Sequence, residues 1–362
     1  MLLKIKPLDA IFMRDSKPFE KGFETWANAV FPPYPSVMTG ALRTVYFSDN
    51  IKELVKAGTE EDPTKNIDIG MSCISKGKQL YFPLPYDMSI SGVESVSDSE
   101  YRKCRLQKMK KTNMISSINT NYYLEGYEDY EIHDGGAYIS ENELKEYLLN
   151  NEENFECTYF DLYDFLYIES KIGIARSTKT RTAEESMLYR IGAFRLSEDM
   201  SFIVDVNNLN IREKGILKLG GKGVLSEYRE IQTKILQEIM NIKVGKRFRL
   251  YIATPAIFRK GWLPSWIDEN SLEGTIHTSN GRIQLKLLTA SIGRYKSIGG
   301  FDMAKKTPKE MYRAVPAGSV YYFEIIEGTQ EQIVSLFNFK KISEERANEG
   351  FGFSLVGRVG ND

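Results

Sequence analysis

The stretch SEYREIQTKILQEIMNIKVGKRFRLYIATPAIF, residues 226–258, changes its period halfway along. Tyr228, Ile231, Ile235, Leu236 and Ile239 recur at helical spacing, which predicts a helix over 226–241. After the hinge KVGK at 243–246, Phe248, Leu250 and Ile252 alternate with Arg247, Arg249 and Tyr251 at the two-residue period of a strand. A fresh strand after a helix and a glycine hinge marks a boundary, giving an N-terminal domain over 1–242 and a C-terminal domain over 243–362. Length agrees, because 362 residues suit two domains of about 100–200 residues each.

Downstream of the boundary, Asn280-Gly281 predicts a hairpin turn, 293–300 a glycine-rich loop, GSVYYFEII a strand, Thr329 and Gln332 a helix cap, and FSLVGRV a last strand. Upstream, KIGIAR and LYRIGAFRL flank the polar STKTRTAEESM, a long hairpin over 171–196 with Arg176, Lys179, Arg181 and Arg190 around its tip. Thr182 to Glu185 fits a capping box, so one helical turn is expected inside that connection. Residues 2–8 read as a strand. Pro18, Pro32, Pro33, Pro35 and Gly22 keep the next segment irregular, and Ser36 is the expected N-cap of a helix burying Met38, Ala41, Leu42 and Val45. Residues 50–150 are weakly patterned and read as insertions, apart from a capping box at Ser140 and Glu143 that opens ENELKEYLL. Strands followed by single helices, twice over, predict an α+β fold of two sandwiches.

With 42% hydrophobic and 27% charged residues the chain is expected to fold. MLLKIKPLDA is too broken by Lys4, Lys6, Pro7 and Asp9 to act as a signal peptide, and no apolar run reaches membrane-spanning length, so a cytoplasmic protein with no membrane partner is expected. Three cysteines without a C-x-x-C pair, and two histidines, His133 and His277, argue against a disulfide framework, a structural zinc site and a zinc hydrolase, and no metal or cofactor is expected. The net charge of −1 is the main objection to nucleic-acid binding. Local basic segments such as RKCRLQKMKK at 102–111 answer it in part, although such a run is more often a solvated face.

Four segments could hold an anion. Gly40 lets a phosphate backbone approach a helix start beside Ser36 and Arg43, with close helix packing as the equal alternative. LKLGGKGVLSEY sets Gly220, Gly221 and Gly223 around Lys222; without a Walker motif it is a weak signal and a tight turn the plainer reading. SIGRYKSIGGFDMAKK joins Gly293, Gly299 and Gly300 to Arg294, Lys296 and the stacking aromatics Tyr295 and Phe301. GFGFSLVG, near the C-terminus, reads first as a strand with close backbone approach. His133 and His277 lie near turns, where a surface hydrogen bond is the ordinary role, and no catalytic carboxylate pair stands out.

Taken in order, FMRDSKPFEKGFETWANAVFPPYPSVMTGALRTVYF, GIARSTKTRTAEESMLY, GRYKSIGGFDM and YRAVPAGSVYYFE resemble the third subunits of Cmr complexes, the type III-B CRISPR effectors of the RAMP superfamily. The resemblance implies two ferredoxin-like, RRM-related domains with insertions, and a hairpin that serves as a thumb. It implies a non-catalytic subunit that holds the repeat-derived 5′ handle of the guide RNA. Its neighbours would be the large polymerase/cyclase-like subunit and the backbone RAMP subunit that cleaves target RNA, with target RNA as a further partner. The positions it turns toward RNA are Arg14, Ser36, Thr39, Gly40, Arg43, Arg176, Thr178, Lys179, Arg181, Tyr189, Gly220, Gly221, Lys222, Gly223, Arg294, Tyr295, Lys296, Gly299 and Gly300. The rival is a metal-independent RAMP endoribonuclease acting on guide precursors through His133 or His277. RAMP proteins that cut precursors use an earlier histidine, which this sequence lacks.

Overall fold

The computed structural model describes residues 1–14, 26–27, 29–91, 102–112, 118, 120–151, 154–176, 179–220, 223–279, 281–302 and 306–360; at 26–27, 175–176 and 183–189 the description is of backbone. The fold is mostly sheet, with three α-helices among the described residues. An eight-stranded sheet runs Phe160–Asp161, Ala137–Ser140, Gln79–Pro83, Asp68–Lys76, Met200–Asn207, Leu2–Pro7, Val224–Glu230, Lys214–Leu219. A six-stranded sheet runs Glu273–Thr278, Gly281–Ser291, Val320–Glu327, Arg247–Ile252, Phe353–Arg358, Lys340–Lys341. All strands of the first sheet come from before residue 231 and all strands of the second from after 246.

Local sequence explains much of this. Leu3 and Ile5 alternate with Lys4 and Lys6 and are fully buried on a central strand. Helix α1, Pro35–Asp49, lays Met38, Ala41, Leu42 and Val45 over Leu3, Ile5, Leu217 and Leu219 of the first sheet. Ser36 is not its N-cap. Tyr34 holds the cap position and makes no side-chain capping bond to the helix, and Pro35 takes the first helical position, where its missing N–H costs nothing. Helix α2, Glu141–Leu149, starts as expected with the Ser140 hydroxyl accepting from the Glu143 N–H. Its Leu144, Tyr147 and Leu148 share one apolar cluster with Phe82 of the first sheet and Tyr251 and Leu355 of the second, so α2 joins the two. Helix α3, Gln330–Phe337, has the full Thr329–Gln332 capping box.

The expected helix over 226–241 does not form. Val224–Glu230 is a strand on which Tyr228 faces Ile5 on one side and Gly215 on the other. A side chain at Gly215 would meet the Tyr228 ring at 2.9 Å, so the glycine makes room for it. Leu236 has φ +52°, incompatible with a continuing helix, and only one 3₁₀ turn, Gln237–Ile239, follows. Ile231, Ile235, Leu236 and Ile239 nevertheless enter the same core, so a chain wrapping past α2 imitates helical spacing.

Three further expectations change. Within 50–150, the strands Asp68–Lys76, Gln79–Pro83 and Ala137–Ser140 belong to the eight-stranded sheet, and a separate four-stranded sheet forms from Glu156–Thr158, Lys103–Leu106, Met88–Ser91 and Tyr130–Ile132. The 171–196 hairpin is real and longer, Leu166–Arg176 against Ala183–Leu196, with strand where the helical turn at 182–185 was expected. The strand Arg247–Ile252 is buried on both faces, with Arg249 only 1% exposed. Its guanidinium lies 3.8 Å from the Tyr147 ring centroid and donates to the carbonyls of Tyr147 and Asn150. Nearby, the buried Asp87 carboxylate accepts from the hydroxyls of Tyr147 (2.7 Å) and Tyr322 (2.6 Å).

Candidate nucleic-acid interface

The described N-terminal stretches 11–14, 26–27 and 29–35 form a seam that several candidate segments meet. Ile11 bridges Phe194 of the hairpin, Arg14 bridges Ala29, and the Val30 N–H donates to the Met13 carbonyl at 2.8 Å. Trp26 and Ala27 pair in parallel with Arg190 and Ile191. The hairpin is thus rooted on this seam. Gly220, at φ +74°, abuts it from the other side: a Cβ there would lie 2.9 Å from the Phe12 carbonyl oxygen. The Gly223 N–H donates to the Gly220 carbonyl at 2.9 Å, so these glycines make the tight turn joining Lys214–Leu219 to Val224–Glu230, while Gly221 and Lys222 lie outside the described residues.

The seam ends in the start of α1, beside a largely apolar cleft of about 320 Å³ walled by Phe31, Tyr34, Pro35, Tyr86, His133 and Pro316, with Lys296 at its edge. Two candidates from opposite ends of the sequence therefore share one cleft. Lys296 and the preceding Arg294 and Tyr295 are exposed. The short strand Lys296–Ile298 pairs with Tyr312–Ala314, which brings the Arg313 guanidinium to 5.0 Å from the Tyr295 ring centroid. Arg313 was not singled out in the sequence; its register opposite Ser297 is a long-range fact with no local signal. Gly299 accepts from Arg346 at 3.1 Å, and Gly300 accepts from the Lys309 N–H at 2.9 Å.

Gly40 is exposed, and a Cβ there would meet nothing within 4 Å, so helix packing does not explain it. Ser36 is half-buried, whereas Thr39 is buried and donates to the Pro35 carbonyl at 3.3 Å. Arg43 turns away from the seam: its Nη2 meets Asp62 Oδ2 at 2.5 Å and its Nε donates to the Thr64 hydroxyl at 2.8 Å. Lys179 and Arg181 are exposed at the hairpin tip, Arg181 at φ +57°. Thr178 lies outside the described residues, and Arg176 and Tyr189 are described by backbone alone.

Charge is unevenly matched. In the basic run, Arg102, Lys103 and Lys110 pair with Asp164, Glu156 and Glu125, and at the hairpin base Lys171 and Arg195 pair with Asp9 and Glu169. Among the described residues, Arg14, Arg294 and Lys296 pair with no carboxylate.

His133 is not a surface residue. It is 5% exposed, stacks on Tyr86 with ring centroids 4.7 Å apart, and donates from Nε2 to the Pro85 carbonyl at 3.0 Å. Burial holds its imidazole below the usual value and pushes the Tyr86 hydroxyl up to about 12. His277 lies exposed on Glu273–Thr278, a strand at the edge of the second sheet. The C-terminal glycines pack: a Cβ on Gly350 would lie 3.0 Å from Pro35 Cβ, and the Gly350 carbonyl accepts from the Thr254 hydroxyl at 2.8 Å.

A CRISPR system CMR subunit Cmr3 of Saccharolobus solfataricus is 22% identical over 340 residues, covering 91% of this chain and 88% of its own length. Two solved chains from type III-B Cmr-beta complexes share the fold at 17% identity. One, from a complex bound to cognate target RNA, covers 97% of this chain and 95% of its own with a TM-score of 0.54. The other, from a complex bound to cognate target RNA and AMPPnP, covers 89% and 86% with a TM-score of 0.52. The family model of the CRISPR-associated protein Cas_Cmr3 matches residues 3–359. Matched over almost its entire length, the chain belongs to the Cmr3 family of CRISPR-associated proteins.

Proposed function

We propose that this chain is a non-catalytic subunit of a cytoplasmic type III-B CRISPR effector that grips the 5′ handle of the guide RNA along the seam of residues 11–14, 26–27 and 29–35. In this reading 1–242 and 243–362 are two ferredoxin-like domains, the hairpin is a thumb along the guide, and other faces dock the large polymerase-like subunit and the RNA-cleaving backbone subunit. One observation supports it: Arg14 lies on this seam, Lys296 lines the cleft beside it with Phe31, Tyr34 and Pro35, and among the described residues neither pairs with a carboxylate. Arginine and lysine bind phosphates by charge, and Tyr295 offers a face for stacking. The endoribonuclease alternative gains no support, since His133 is buried with its Nε2–H committed and His277 stands alone.

The test compares guide-RNA retention by complexes carrying wild-type chain or Arg294→Ala with Lys296→Ala across salt concentrations. Two lost phosphate contacts lower the log–log salt slope by about 1.4, at about 0.7 per phosphate on a single strand. An unchanged slope, with crosslinks falling on other subunits, contradicts the proposal.

A further inference from the structure

Cys104 and Cys157 face each other directly across the antiparallel pair Lys103–Leu106 and Glu156–Thr158. The flanking bonds, Leu106 N–H to the Phe155 carbonyl and Tyr159 N–H to the Arg102 carbonyl, fix the phase of this ladder. Counting inward from them, Cys104 and Cys157 occupy a hydrogen-bonded pair, where Cα atoms stand about 5.5 Å apart. That falls within the roughly 4.4–6.8 Å that a disulfide spans. The side chains follow the backbone: the two sulfurs are 3.2 Å apart. The third cysteine, Cys73, is paired with Ile203 on the eight-stranded sheet.

We propose that Cys104 and Cys157 form a reversible dithiol–disulfide pair that peroxide closes into a staple. Glu156–Thr158 is the edge strand of the four-stranded sheet, so its lifting exposes Cys157 before the fully buried Cys104. The Cys157 sulfur, as thiolate, attacks one peroxide oxygen; the O–O bond breaks, the departing hydroxide takes the thiol proton as water, and a sulfenic acid remains. The Cys104 sulfur then attacks the Cys157 sulfur, the S–O bond breaks, and the second proton leaves with that oxygen as water. Two thiols and one hydrogen peroxide thus give one disulfide and two waters. The hydrogen bond with the Cys104 sulfur, and then burial, keep the Cys157 thiol protonated in the closed sheet, which makes strand opening the slow step. The bond would close a loop that contains α2, and with it Tyr147 at the junction of the two large sheets.

The full-length protein is treated with hydrogen peroxide under native conditions, then denatured and alkylated with N-ethylmaleimide. The proposal expects an intact mass lower by two hydrogen atoms before alkylation, one maleimide added instead of three, a Cys104–Cys157 linked peptide on proteolysis, and recovery of all three thiols with dithiothreitol. Cys73→Ser retains the linkage, whereas Cys104→Ser converts the response to oxygen addition at Cys157. Three reactive thiols after peroxide, oxygen addition at Cys157 without loss of hydrogen in the wild type, or a linkage to Cys73 overturns it. The wild-type peptide map decides the matter even where a serine variant fails to fold.

Discussion

Arg43 separates a structural role from an RNA-binding one. Its partner Asp62 is almost completely buried and accepts four hydrogen bonds: from the Gly58 N–H (2.7 Å), the Thr64 N–H (2.8 Å), the Thr64 hydroxyl (2.6 Å) and Arg43 Nη2 (2.5 Å). Breaking a buried pair costs about 3–5 kcal/mol, but here Asp62 keeps three donors, and about a third of the Arg43 side chain is in water, 35% by exposed area. The loss in Arg43→Ala is therefore closer to that of a single charge-assisted hydrogen bond, about 1.5–3 kcal/mol. Burial pushes the Asp62 carboxyl up, but the Gly58 and Thr64 donors and the Arg43 charge outweigh it and hold the group below its ordinary value. A depressed carboxyl contributes stability above its unfolded pKa of about 3.9 and loses it as pH falls through the folded value. Urea unfolding should accordingly show the full gap between wild type and Arg43→Ala at pH 7 and a narrowing gap below about pH 4. The salt slope of RNA binding should stay at the wild-type value. A variant as stable as wild type whose slope falls by about 0.7 would place Arg43 on the RNA and refute this reasoning.

Tyr322→Phe removes one of the hydroxyls that Asp87 accepts and should cost about 2 kcal/mol in urea unfolding, with Tyr147→Phe coupled to it in a double-mutant cycle; additive effects would dissolve the network. Gly350→Val places a β-branched residue at φ +96° against Ile69 and Pro35, and should lower stability by at least about 2 kcal/mol while weakening RNA retention through the displaced start of α1. His133 is held neutral by burial, so wild type should lose stability as pH falls below about 6.5, where the unfolded chain takes up a proton that the folded chain refuses. His133→Gln should flatten that part of the pH profile in thermal unfolding, and an unchanged profile would assign the slope to another group.

What could be read in advance follows from the range of the interactions. The N-cap at Ser140 and the capping box at Thr329 were legible because their partners lie three residues away, and the hairpin because its alternation and polar turn are contiguous. The 226–241 stretch misled because Ile231, Ile235, Leu236 and Ile239 meet one core without a helix between them. Arg249 looked like the outward residue of an amphipathic strand; only the strands on both sides, and Asp87 and Tyr147 from far upstream, make it an inner one. Gly40 and Gly350 show the same limit. Both were glycines in suggestive places, yet one faces open space and the other fills a contact that no side chain fits.

The near-neutral net charge, the strongest compositional argument against RNA binding, loses its force once the ion pairs are mapped. Half of the densest basic run, Arg102, Lys103 and Lys110, pairs with Asp164, Glu156 and Glu125, and the hairpin base pairs with Asp9 and Glu169, so these paired cations contribute little field at a distance. Among the described residues Arg14, Arg294 and Lys296 meet no carboxylate; Arg14 lies at the hairpin root, and Lys296 lines the cleft at the start of α1. Sequence counts acids and bases without regard to who neutralises whom; the fold pairs some cations, such as Arg102, Lys110 and Arg195, with carboxylates and leaves others, Arg14, Arg294 and Lys296 among them, with none among the described residues. A surface of that kind suits a short stretch of RNA held in register by neighbouring subunits, and it predicts that adding carboxylates on the 102–111 face changes RNA retention far less than adding one beside Lys296.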